Sequence, residues 1–280
     1  MASGIPTLQM TVNTTHCDEI GHMNVQFYVA AGSDATRLYA AAQGHVGPII
    51  ARSDHIRFYR ELRVGDIFTC HTVPVARDDE GVTLCHALTN RGTGELAATI
   101  ITCTAFDDTA SALTALPAEA APRSIPAQSE LPSLQLDDEA AAKLIPIYQG
   151  MVHPEHCDES GQMRQQFLIS RFSDGAAHLW HHVGFDRDAM LNAKRGAVVL
   201  EMRVDRLASI EAGRPLMVKS AIVNVTGKVL HFAHFLFDVA TGALLGTGEA
   251  AAVLFDLEKR KTISFSDQEI AAFTPHILKV

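Results

Sequence analysis

The sequence predicts an α+β fold in which one module, a long helix followed by four antiparallel strands, occurs twice in the chain. Three observations carry this. Residues 16–27 (His-Cys-Asp-Glu-Ile-Gly-His-Met-Asn-Val-Gln-Phe) recur as residues 156–167 (His-Cys-Asp-Glu-Ser-Gly-Gln-Met-Arg-Gln-Gln-Phe), an offset of 140 that also superposes Ser33-Asp34 on Ser173-Asp174. A helical stretch follows the motif in each copy. Turn-forming clusters then separate strand-like runs in the same order in both halves.

In the first copy a strand-like run covers Leu8 to Asn13, and the motif leads into a helix over Val25–Gln43 that Gly44 terminates. Strands are expected over Arg52–Arg60, Ile67–Ala76, Val82–Asn90 and Glu95–Phe106, with Gly-containing turns between them. In the second copy a strand precedes His153, a helix covers Gln165–Val183, and strands follow at Ala197–Arg206, Leu216–Val225, Val229–Val239 and Leu244–Phe255. Thr241-Gly242 answers Thr93-Gly94 at an offset of 148, so a few insertions separate the copies. A last helix is expected over Ser266–Phe273, with Ser266 as N-cap and Glu269 as its capping-box partner. Residues 108–140, rich in Ala, Pro, Ser and acidic side chains, read as a linker between an N-terminal module (1–107) and a C-terminal module (141–280). Two copies in one chain would pair as two subunits do in a homodimer. Further association of that intrachain pair is left open.

Composition narrows the function classes. The 280 residues are 47% hydrophobic and 20% charged, ordinary for a globular protein, and no apolar run is long enough to cross a bilayer. The N-terminus lacks a basic-then-apolar signal pattern, which makes the cytoplasm the default compartment and a membrane partner unexpected. A net charge of −9 argues against a nucleic-acid surface. Five cysteines without Cys-x-x-Cys argue against a disulfide framework or a structural zinc, and His181-His182 and His231-x-x-His234 lack a third ligand at useful spacing. No metal is expected.

Asp18-x-x-Gly21-His22-x-Asn24 before a helix resembles the opening motif of the 4-hydroxybenzoyl-CoA/acyl-CoA thioesterase families, and His16-Cys17-Asp18 resembles a variant of the same loop. The segment from His55-Ile56-Arg57-Phe58-Tyr59 to Val64-Gly65-Asp66 fits what those families place after the helix. The resemblance covers both halves, though its specific part is about a dozen residues in each. It implies the hot-dog fold, a long helix wrapped by an antiparallel sheet. It also implies hydrolysis of an acyl thioester, acyl-CoA or acyl-ACP, with coenzyme A present only as part of the substrate and no separate cofactor. The plant acyl-ACP thioesterases carry an Asn two residues after the Asp, where this chain has Ile20 and Ser160. The motif of the (R)-specific enoyl-CoA hydratases is absent.

In those families the loop Asp orients water or attacks the carbonyl, and the N–H at the start of the following helix binds the oxyanion. The matching positions are Asp18 with the N–H of Val25, and Asp158 with the N–H of Gln165. Capping alone explains Asp18 poorly, because it precedes the helix by about seven residues and caps normally sit at the helix start. His22 and Asn24 are further catalytic candidates; Gln162 and Arg164 replace them in the second copy. Arg164 suits an anionic group of the substrate. Asp34, with Asp174 as counterpart, lies inside the helix and is a candidate second carboxylate. Arg52, Arg57, Arg60 and Arg63, and Lys194, Arg195, Arg203 and Arg206, are candidate contacts for the phosphates of coenzyme A or simply solvated strand edges. Two other readings remain open at this level: a non-catalytic acyl-CoA-binding protein, and a hot-dog hydratase or dehydratase.

Overall fold

The computed structural model describes residues 4–185 and 187–279. They fall into two compact units, residues 1–123 with 158–170, and residues 124–157 with 171–280.

The first unit contains β1 (Ile5–Thr11), α1 (Val25–Ala42), β2 (Ala51–Phe58), β3 (Ile67–Asp78), β4 (Gly81–Asn90) and β5 (Leu96–Thr104). Its strands are antiparallel in the order β1-β3-β4-β5-β2. The face of α1 turned to the core carries Tyr28, Val29, Ala31, Gly32, Ala35, Thr36, Tyr39 and Ala40, the recurrence of a helix buried on one side. Small residues dominate because the helix lies close to the sheet: a Cβ on Gly32 would come within 2.9 Å of Ile100 Cδ1.

The second unit contains α2 (Asp138–Ala142), β6 (Ile145–Met151), most of α3 (Gln165–His182), α4 (Arg187–Asn192), β7 (Arg195–Arg206), β8 (Pro215–Thr226), β9 (Val229–Asp238), β10 (Leu244–Asp256), β11 (Lys261–Ile263) and α5 (Asp267–Phe273). Its strand order, β6-β8-β9-β10-β7, is the same permutation, with β11 added beside β10. The repeat extends to irregularities: β1 breaks register between Pro6 and Leu8, and β6 between Pro146 and Tyr148. The shift in offset from 140 to 148 arises between helix and strand. The connection before β7 is four residues longer than that before β2, and β7 itself is four longer. Short α4 occupies part of that insertion; neither it nor α2 is foreseen in the sequence pattern. At α5, Ser266 Oγ accepts from Glu269 N and the Glu269 carboxylate accepts from Ser266 N, the expected capping box.

One position pair shows how the two cores diverged. Gly32 and Ile100 become Phe172 and Gly248, so bulk moves from strand to helix, and a Cβ on Gly248 would lie 2.6 Å from Phe172 Cε2. Beneath each helix a histidine is buried. His86 Nε2 bonds Thr36 Oγ1 (3.0 Å) and Nδ1 bonds Thr72 Oγ1 (2.9 Å). His234 bonds Ser220 and stacks on Phe172 at 4.7 Å. Burial holds both rings neutral, with pKa values depressed to about 3.

The Ala/Pro-rich segment is tied down along its length. Tyr39 OH donates to Asp108 Oδ2 (2.7 Å), and Arg57 donates to the Glu119 and Ala121 carbonyls (2.8 Å each). Ala120 packs on Val73 and Cys85. In the second unit Glu201 accepts from Ser124 N (2.7 Å), Arg203 donates to the Ala127 carbonyl, and Leu131 packs with Ala221 and Phe235. Among the described residues no helix is long and apolar enough to cross a membrane.

Candidate functional site

The motif folds as a turn and a miniature hairpin. Asn13 N donates to His16 Nδ1 (3.2 Å) and Cys17 Sγ to the Asn13 carbonyl (3.7 Å); His153, His156 and Cys157 repeat both contacts at 3.1 and 3.7 Å. The His and Cys of the motif therefore serve the turn. Partial burial and the neighbouring Asp18 push the Cys17 thiol pKa up, which disfavours the thiolate that nucleophilic catalysis needs.

After the turn the chain doubles back. Asp18 N donates to the His22 carbonyl, Cys17 bridges Met23, and Asn24 N donates to the His16 carbonyl (2.8 Å), so His16 stands opposite the N-cap of α1 and Asp18 opposite His22. Gly21 holds the tip at φ +79°, and Gly161 its counterpart at φ +80°. That left-handed conformation, not crowding, demands glycine, because an added Cβ at either would meet nothing within 4 Å.

Each motif carboxylate is held by one oxygen. Asp18 Oδ1 accepts from Ile20 N and His22 N, both at 3.0 Å. Asp158 Oδ1 accepts from Ser160 N (2.9 Å), Gln162 N (3.1 Å) and Ser160 Oγ (2.6 Å), the last a donor that Ile20 cannot supply. The second oxygen of each makes no hydrogen bond to a described residue. A half-buried carboxylate fixed in this way is oriented yet retains an acceptor for water or substrate.

The other candidates separate. Asn24 Oδ1 accepts from Gln26 N (3.1 Å) as the N-cap of α1. The Val25 N–H, first in the helix, has no acceptor among the described residues and lies at the positive end of the helix dipole. Gln165 occupies the matching place at the start of α3 and is buried. The His22 ring meets Arg63 Nη2 (3.2 Å) and Glu61 Oε1 (3.9 Å) through Nε2.

Asp34 lies in the first unit, which also holds residues 158–170 of the second copy. It is open to solvent but hemmed in by protein, and this partial desolvation raises its pKa against the opposing charges of Arg37 and Arg164. Arg37 in turn pairs with Glu159, the residue after Asp158. The structure therefore brings together Asp34, Arg164 and the Asp158 loop. Asp174 is raised by desolvation likewise, with Arg171 opposing at 3.6 Å. Arg171 is itself buried, contacts the His156 ring at 2.9 Å, and has no counterpart in the first copy, where Ala31 stands.

Most of the arginines considered for coenzyme A phosphates are otherwise engaged. Arg52 pairs with Asp78 and Glu80, Arg60 with Glu95, Arg63 with Glu61, Arg195 with Glu269 and Arg203 with Asp205, while Arg57 holds backbone carbonyls. Arg37, Glu159 and Arg171 were not singled out from sequence. A signal existed for Arg37, three residues after Asp34 on the same helix face but replaced by Ala177 in the repeat. Among the described residues no group of three or more His, Cys, Asp or Glu is placed to hold a metal.

Known structures repeat this architecture. A putative oleoyl thioesterase from Lactobacillus plantarum aligns over 90% of this chain and 97% of its own, with 12% identity and a TM-score of 0.65. The 12:0-ACP thioesterase of Umbellularia californica aligns over 88% and 92% (11% identity, TM-score 0.61), and an acyl-ACP thioesterase from Bacteroides thetaiotaomicron over 88% and 96% (11%, 0.61). At such identities the likeness establishes the fold. No curated protein sequence matches the chain. The family model of the thioesterase-like superfamily matches twice, over residues 12–130 and 152–276. The chain belongs to the thioesterase-like superfamily of thioester hydrolases, as two hot-dog modules in tandem.

Proposed function

We propose that the protein hydrolyses acyl thioesters of coenzyme A or acyl carrier protein, with Asp18 and Asp158 as the reactive carboxylates. The observation that carries this reading is the shared state of the two side chains, one oxygen fixed by loop amides and the other left as an acceptor. In each site the carboxylate takes a proton from water as the water oxygen attacks the thioester carbonyl. The oxyanion is received by the N–H of Val25 or Gln165, and collapse expels the thiolate, which takes up the proton. The solved thioesterases with the same double fold, two of them named for acyl-ACP substrates, support this substrate class.

The test is free-thiol release across acyl-CoA and acyl-ACP panels of varied length and aromaticity. Hydrolysis of at least one series at turnover above about 1 per second, typical of enzymes, is expected. Loss of enoyl absorbance without thiol release would instead identify a hydratase. Thermal stabilisation by acyl-CoA without turnover would identify a binding protein.

A further inference from the structure

We propose that Arg37 and Glu159 are positioning residues, whose ion pair holds the Asp158 loop against the Asp34 face of α1 so that Asp158 and Asp34 work as one site. Asp34 and Arg37 stand three residues apart on α1 and share a face. Glu159 directly follows Asp158, and its Oε1 meets Arg37 Nη2. One contact therefore ties the helix bearing one candidate carboxylate to the loop bearing the other. Arg164, at the far end of the same loop, lies near enough for its charge to act on Asp34. The loop's membership of the first compact unit agrees with both.

In the repeat Glu19 matches Glu159, while Ala177 stands where Arg37 stands. The basic residue of the pair is therefore present in one copy of the helix only.

The proposal rests on thioester hydrolysis, so its test carries one readout that does not. In an Asp18→Asn background, turnover reports on the Asp158 loop. Arg37→Gln and Glu159→Gln should each lower kcat about threefold to tenfold, as small misplacements of reacting groups do, with KM within about twofold. The charge-reversed pair Arg37→Glu with Glu159→Arg should restore the rate, which a purely steric role would not allow. Both side chains are about half exposed, 45% and 48%, so melting temperature should move little. Arg164→Met should lower kcat and move the acidic limb of the pH profile to higher pH; a rise in KM with that limb fixed would assign Arg164 to the substrate and overturn its part. Independently of activity, amide hydrogen exchange at residues 158–162 should quicken in Arg37→Gln. Unchanged exchange there, or unchanged kcat in both single variants, overturns the clamp. If the Asp18→Asn protein hydrolyses no thioester while exchange still quickens, the catalytic reading of that loop fails and the clamp stands as structure alone.

Discussion

The buried histidines make stability depend on pH in a calculable way. His86 and His234 ionise in the folded protein near pH 3 and in the unfolded chain near pH 6.5. A folded-state pKa held below the unfolded one means that, between those values, the unfolded chain binds more protons. Stability is therefore complete above pH 6.5 and falls as the pH drops through 6.5 toward 3. At pH 5 each ring sits 1.5 units below 6.5, and at about 1.4 kcal/mol per unit the loss is about 2 kcal/mol per histidine. His156, His231 and His276 are also shifted down by desolvation and add to the same slope. Asp34 and Asp174, raised by desolvation, act with opposite sign in the carboxylate range. The range from pH 7.5 to 5.0 covers the imidazole titration of the unfolded chain. The assay is urea unfolding across that range for the wild type and for His86→Gln with His234→Gln, whose amides keep a polar partner but do not titrate. The variant should lose about 4 kcal/mol less than the wild type on acidification, summed over both units. Parallel pH profiles would refute the claim that these rings are buried and neutral.

Two further predictions concern the loops and the cores. Gly21→Ala should cost about 1–2 kcal/mol in unfolding free energy, because Ala must adopt the positive φ that closes the hairpin; an unchanged urea midpoint would contradict the assigned backbone. Gly248→Ala should destabilise the second unit by about 1–3 kcal/mol through overpacking against Phe172, and Phe172→Leu added to it should recover part of the loss. Strictly additive effects would show that the two positions do not share space.

Much of the fold is legible in the sequence because its signals are local or repeated. The motif, the terminating Gly44, the capping box at Ser266 and the Gly-containing turns each act within a few residues, and most strand limits follow from them. The start of β1 at Ile5 was not legible, since Pro6 disguises an edge strand that accommodates it at a bulge. Short α2 and α4 offer too few turns for a periodic signal. The compactness of the linker segment was hidden for another reason: it is held largely through its backbone carbonyls, which composition does not reveal. At the site, the Asp18 loop could be singled out from spacing, but the direction of His22 could not. That depends on Glu61 and Arg63, some forty residues away. Arg37 and Glu159 are separated by 122 residues, and only folding discloses their pairing.

In the proposed reaction Asp18 and Asp158 perform the chemistry. The most direct test is thiol release from the best substrate by the double variant Asp18→Asn with Asp158→Asn. Asn retains an oxygen for the amides of Ile20, His22, Ser160 and Gln162, so the loops and the melting profile should persist while the reactive carboxylates are gone. A loss of about 10²- to 10⁴-fold in kcat is expected, the range for removing a general base, with folding preserved. A double variant that hydrolyses the substrate at the wild-type rate would contradict that role.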